Sequence, residues 1–220
     1  MKRTSHDVPM ADALVLAQWL SPAYPVGAFA YSHGLETAIA DGGIASAAAA
    51  GGWIDDVIRR GAGRSDAILL RLAHRGHETA PDHLDDLARA ASASRERWIE
   101  TRDQGAAFSR TTASVWGFDL PPCAYPVAVG RAAGLLGLDA DLTAAFYLQA
   151  MASTLVSAAV RFVPLGQTEG QATLAALMRS VGDTAVATRG LGPEAIASCA
   201  FAGDIAAMRH ETLEPRIFRT

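Results

Sequence analysis

Apolar residues recur along the chain at helical spacing, three and four apart, and strand-like alternation is almost absent. The pattern predicts helices over 10–20, 32–41, 53–60, 65–75, 82–94, 96–115, 126–136, 140–163 and 170–188. Gly76, Pro121-Pro122, Gly137, Pro164–Gly166 and Gly190–Pro193 punctuate them. Within 53–60, Trp53, Ile54, Val57 and Ile58 make an apolar face. The i,i+4 pairs Asp55–Arg59 and Asp56–Arg60 line the other face. Ser32 is placed to cap the helix over 32–41, with Glu36 near its favourable N-terminal end. No repeat, long linker or compositional break interrupts the series. The expected fold is all-α, a single compact helical domain of roughly eight to ten helices over 1–220, with 1–9 flexible.

The stretch 140–163 is apolar nearly all round, which places it at the centre of the fold. Its polar residues Gln149, Ser153, Ser157 and Arg161 follow at steps of four and form one slowly turning stripe. Two readings stand. The small polar residues permit close helix packing and end at a surface arginine, or the stripe lines an internal passage or a subunit interface. In the second case Arg161 needs a carboxylate or carbonyls around it.

Size and charge narrow the classes. A chain of 220 residues, half of them hydrophobic and 19% charged, can bury a full core and is not disordered. A net charge of −4 without a basic stripe argues against nucleic acid. Cys123 and Cys199 are the only cysteines, and they read as reduced thiols. Asp7, Pro9 and Asp12 interrupt any apolar stretch after Lys2 and Arg3, and no uninterrupted apolar run reaches the ~18 residues that span a bilayer. A cytoplasmic protein without a membrane partner is expected.

The segment Ser21–Glu36 packs two prolines, two glycines, three aromatics and a histidine between helical stretches. Pro22 and Pro25 disfavour helix at Ser21 and Tyr24 and call for extended chain there. A loop so stiff, carrying Tyr24, Phe29 and Tyr31, is either a buried plug or a docking surface.

Catalytic motifs are weak. Ala30-Tyr31-Ser32-His33-Gly34 is one residue from a nucleophile elbow, and Asp204 and His210 follow in hydrolase order. The elbow needs a strand before the serine and a βαβ framework, and neither is predicted. A helix cap explains Ser32 better. His74, His77, Glu78, Asp82 and His83 could suggest a metal site, but Gly76, Ala80 and Pro81 end the helix there. No paired cysteines have zinc spacing, no phosphate-binding loop is present, and Gly61-Ala62-Gly63 ends in Asp66 where a dinucleotide fingerprint needs a small residue. No catalytic residue, metal ligand or cofactor is assigned. The last segment, Asp204–Thr220, keeps Ile217 and Phe218 framed by Arg216 and Arg219 after a proline. Its residues 208–220 suit a partner-binding tail that folds onto a partner as an anchor; the alternative is a tail packed on its own domain.

With these residues laid out, the chain resembles the urease accessory protein F (UreF) family. The match is carried by Ser21–Glu36 as SPxxPVGxFxYSxGLE, Glu100–Gly105 as E-x-x-x-Q-G, Val156–Thr168 as VSAAVRFVPLGQT, and Met208–Arg219 as MRHE followed by R-I-F-R. Tyr125-Pro126-Val127 supports it, and the order holds from about residue 11 to 220. The tail departs from the family pattern with Glu214-Pro215 where Tyr-Ser is common. The resemblance implies an all-helical, non-enzymatic chaperone of urease maturation, present as a homodimer. It would bridge the accessory protein UreD/UreH and the GTPase UreG to the urease apoenzyme for nickel insertion. Interface or regulatory candidates are Tyr24, Phe29, Tyr31, Glu36, Glu100, Arg161, Gln167, Arg209, His210, Arg216, Phe218 and Arg219. A direct nickel carrier using His33, His210 or the His74–His83 group is the alternative, with a serine hydrolase behind it.

Overall fold

The computed structural model describes residues 10–76, 81–163 and 165–220, and among them it contains helices and no strand. Ten α-helices follow in order: α1 Met10–Trp19, α2 Leu35–Ala40, α3 Ala47–Arg60, α4 Ala62–Arg75, α5 Asp82–Ala90, α6 Arg95–Trp116, α7 Tyr125–Leu136, α8 Ala140–Phe162, α9 Gln167–Ala187 and α10 Phe201–His210. Single 3₁₀ turns cover Ala28–Ala30 and Pro193–Ala195. Residues 1–9, expected to be flexible, lie outside the described residues, as do His77 and Glu78 of the proposed histidine group.

Several boundaries move for local reasons. α3 begins at Ala47, because the Ser46 hydroxyl accepts the Ala49 N–H at 3.2 Å and so carries the helix through Gly51-Gly52. α6 starts at Arg95 behind Ser94, which accepts the Arg97 N–H at 3.0 Å, and ends at left-handed Gly117. α2 begins three residues later than predicted, behind Gly34 rather than Ser32. Residues 21–26 form turns rather than extended chain, with the Ser21 carbonyl accepting the Tyr24 N–H. α10 was not foreseen at all.

The centre matches the hydropathy pattern. α8 touches α1, α2, α3, α4, α7 and α9. Among the described residues it is the one helix long and apolar enough to cross a membrane, and 56% of its most apolar window is buried inside the fold. A file of rings runs beside it. Trp19 meets Trp116 and Phe108 edge-on at 5.3 and 5.4 Å, Phe108 meets Tyr125 at 5.8 Å, and Tyr125 meets Tyr147 at 5.4 Å. A second, smaller apolar cluster gathers Leu35, Ala38, Ile44, Ala50, Ala158, Ala159 and Val163 around Phe218, next to the end of α8.

Candidate functional site

The C-terminal segment does not stand free. After α10 it turns back across α2 and α6, and its backbone pairs with the opening block. The Ser32 N–H donates to the Thr220 carbonyl and the Arg219 N–H to the Ala30 carbonyl, both at 2.8 Å. The Ser32 hydroxyl also donates to the Thr220 carbonyl, and at 3.4 Å it weakly accepts the Glu36 N–H. Ser32 therefore chiefly anchors the tail; its contact with the first turn of α2 is long, and Gly34 occupies the N-cap position. Phe218 enters the second apolar cluster, its ring 5.2 Å from that of Phe162. Arg161 lies at the surface with its guanidinium 5.9 Å from the centre of the Phe218 ring, a cation–π cover on the tail. The tail thus packs on its own domain, with Phe218 buried in its own chain.

Glu36 explains why the tail seats there. Its carboxylate accepts the Ile217 N–H at 2.8 Å and the Phe218 N–H at 2.9 Å, and faces His210 Nε2 at 3.0 Å. Burial works against the charge, but the His210 contact and the two backbone N–H groups outweigh it and hold Glu36 below the usual glutamate range. His210 is fully buried, and its Nδ1 lies 2.7 Å from Glu96, which also binds Arg216. α10 can approach this closely because Gly34 sits at φ +76°, where a Cβ would lie 2.5 Å from the Ala207 nitrogen.

A second charged group lies deeper. Arg97 donates to Asp66 at 2.6 Å and lies 3.5 Å from Glu100. Tyr147 donates to the same Asp66 oxygen at 2.8 Å. Glu100 further meets His33 Nε2 at 3.0 Å and accepts from Gln104 at 3.1 Å and from the Thr220 hydroxyl at 3.3 Å. His33 holds φ +52°, a conformation L residues seldom adopt, with its ring committed to Glu100. Burial raises the Glu100 carboxyl, but His33 and Arg97 outweigh it and bring it down to about 2. Burial also opposes the Arg97 charge, and Asp66 with Glu100 restores it. Asp66 stays above its ordinary range, chiefly through burial and against the pull of Arg97 and Tyr147.

These directions set an acid response. Glu100 titrates near 4.5 when unfolded and near 2 when folded, so its contribution is complete above pH 4.5 and vanishes as the pH falls towards 2. The depression corresponds to on the order of 3 kcal/mol. Asp66 works in the opposite direction. Urea unfolding of wild type between pH 6 and 3 should therefore show a steeper loss than Glu100→Gln, and parallel slopes would contradict the assignment.

The remaining candidates scatter. Tyr24 is buried against Phe108 at 5.6 Å and bonds Thr112 at 2.8 Å, and Tyr31 is buried beside Arg219. Both are buried plugs; of the three aromatics only Phe29, 66% exposed, projects from the opening block. Gln167 is the exposed first residue of α9. Arg209 pairs at the surface with Asp41 at 2.6 Å, and the Arg219 side chain is exposed. Of the α8 stripe, Gln149 and Ser153 line a partly open cavity of about 110 Å³ with Glu100, Gln104 and Tyr147, whereas Ser157 and Arg161 face outward. The stripe is not one continuous seam, and Arg161 needs no buried carboxylate.

The hydrolase constellation is not assembled. Ser32 is committed to Thr220, Asp204 accepts from Ser198 at 2.6 Å, and His210 lies between two glutamates. Among the described residues no group of three or more His, Cys, Asp or Glu is arranged to hold a metal ion. His33 contacts Glu100, and His74 Nε2 lies 2.8 Å from the Leu138 carbonyl oxygen.

Comparison with known proteins decides the family. The UreF family model matches residues 44–178. The chain belongs to the UreF family. A urease accessory protein UreF of Cereibacter sphaeroides is 58% identical over 210 residues, covering 96% of this chain and 99% of the relative. The UreF proteins of Roseobacter denitrificans and Paracoccus denitrificans are each 48% identical, over 218 and 213 residues, and each match covers at least 96% of both chains. As a UreF-family member it is an accessory protein of urease maturation, not a catalyst. In that light the family blocks acquire physical roles. Glu36 of the first block holds the tail, Glu100 of the second ties the buried charges together, and Arg161 of the third covers Phe218 of the last.

Sequence reasoning missed Asp66, Glu96, Arg97 and Tyr147 as members of this site. A signal existed: Arg97, Glu100, Gln104 and Phe108 recur at helical spacing on the buried face of α6.

Proposed function

We propose that this chain is a cytoplasmic scaffold in urease maturation, working as a homodimer. It joins the UreD/UreH accessory protein and the GTPase UreG to apo-urease while nickel is inserted. The observation that carries this reading is the outer face of α10. Phe201, Ile205 and Met208 follow at i, i+4 and i+7, each more than half exposed, on a helix whose other side is fixed by buried His210. Such a rigid apolar row beside a charged tail has the composition of a protein-docking surface. UreD/UreH is assigned to it. The half-exposed face of α8, with Phe146, Ala150 and Ser153, is assigned to self-association, since small residues there allow a second helix to approach closely.

Ile205→Asp with Met208→Ser should abolish co-elution with UreD/UreH and leave helicity unchanged. Loss of one buried anchor weakens association by about thirtyfold, which corresponds to roughly 2 kcal/mol. Co-elution at full stoichiometry would sink the assignment.

A further inference from the structure

We infer that the groove between α3 and α9 is a docking site for an amphipathic helix of another protein, one that carries basic residues at both ends of its contact face. This surface is separate from the α10 row and the α8 face assigned above. Gly51 of α3 packs on Thr173 of α9, where an added Cβ would lie 3.3 Å from the threonine methyl carbon. Further along, Arg59 reaches Ser180 and Asp183. The two helices therefore run side by side in the same direction. Between them lies an open groove of about 630 Å³, walled by Ala48, Gly51 and Gly52 on one side and Ala172, Thr173 and Ala176 on the other. Steps of four separate Ala48 from Gly52 and Ala172 from Ala176, so each wall is a helical ridge stripped of long side chains.

Shape and charge together choose the occupant. A third helix can lay its ridge between two others where their facing residues are small, and its larger apolar side chains then fill the space. The contact with Thr173 explains Gly51 but not Gly52. An added Cβ at Gly52 meets nothing within 4 Å, and glycine inside a helix is less stable than alanine. Its bareness serves only a backbone approaching from outside. Acids close both ends of the groove. Glu169, in the first turn of α9, lies level with Ala47 by the Gly51–Thr173 register, and Asp55 stands about 12 Å further along α3. Arg59, the i+4 neighbour placed to neutralise Asp55, turns to Asp183 and Ser180 instead, so Asp55 makes no ion pair among the described residues. Among those residues no lysine or arginine lines the groove. A helix with Lys or Arg two turns apart, about 10.5 Å, matches this pair of acids, whereas an acidic helix is repelled.

Nuclear magnetic resonance of the isotope-labelled full-length chain tests this. The probe is a capped, alanine-rich helical peptide with leucines between two lysines about seven residues apart, two turns. Its addition should shift the Gly51, Gly52 and Thr173 amides. The same peptide with glutamates for lysines should bind about tenfold more weakly or worse, and Asp55→Lys should reverse that preference. Gly52→Leu fills the groove at a position where a Cβ meets no neighbour. It should weaken the lysine peptide by about tenfold or more while melting no lower than wild type. In cells, the same variant should lower urease activation severalfold. Equal binding of the two peptides, or shifts confined to other surfaces, overturns the groove as a charge-selected site. Full urease activation in Gly52→Leu overturns a partner helix there. Groove amides that shift with protein concentration alone, and cease to in Gly52→Leu, would make a second copy the occupant and overturn the inference as well.

Discussion

Gly105→Ala is expected to destabilise the chain by about 3 kcal/mol or more, lowering the melting temperature by roughly 6–12 °C. A Cβ at position 105 would lie 1.8 Å from the Cys123 carbonyl oxygen, 2.7 Å from the Tyr125 nitrogen and 2.8 Å from the Ala124 carbonyl carbon. All three are backbone atoms at the entry to α7, so no side chain can swing aside. Relief requires moving α7 away from α6, which would break the Tyr125 N–H bond to the Thr101 hydroxyl and open the contact between Phe108 and Tyr125. The demand on this position is steric, and serine should fare no better than alanine. Melting within two degrees of wild type would show that α7 can shift freely.

Arg97→Met should be comparably severe, at about 3–5 kcal/mol, because it leaves Asp66 and Glu100 buried without their shared cation. The loss measures the stranded carboxylates and not the worth of the network, since burying these charges was itself unfavourable. Adding Asp66→Asn to Arg97→Met should recover part of the lost stability, as one uncompensated charge is removed. The comparison is made by urea denaturation at pH 7, where Glu100 is ionised. A double variant less stable than the single one would mean that Asp66 serves packing rather than charge.

How far the chain could be read depends on which forces act locally. Periodicity located α1 and the helices from α4 to α9 within a few residues, because each buries a stripe set by its own sequence. α8 was legible as the central helix for the same reason. α3 was half found: its first turns are alanines and a glycine pair, and only the Ser46 cap reveals the start. α10 was missed because its apolar residues Phe201, Ile205 and Met208 face out, so its pattern resembles a tail. Tyr24 and Phe29 sit five residues apart in one stiff loop, yet one is buried against Phe108 and the other projects. Nothing local distinguishes them.

By itself the sequence determined the helical class, the centrality of α8, the absence of a complete catalytic motif and the residues by which the family is known. Those follow from spacing and residue chemistry along short windows. Only the tertiary structure decided that Ser32 holds Thr220, that Glu36 receives two tail amides and that Arg97 joins Asp66 to Glu100. These partners stand 188, 181 and 31 residues apart for Ser32–Thr220, Glu36–Ile217 and Asp66–Arg97. A buried charge or hydroxyl must find its partner in space, and that partner carries no mark in the sequence around it.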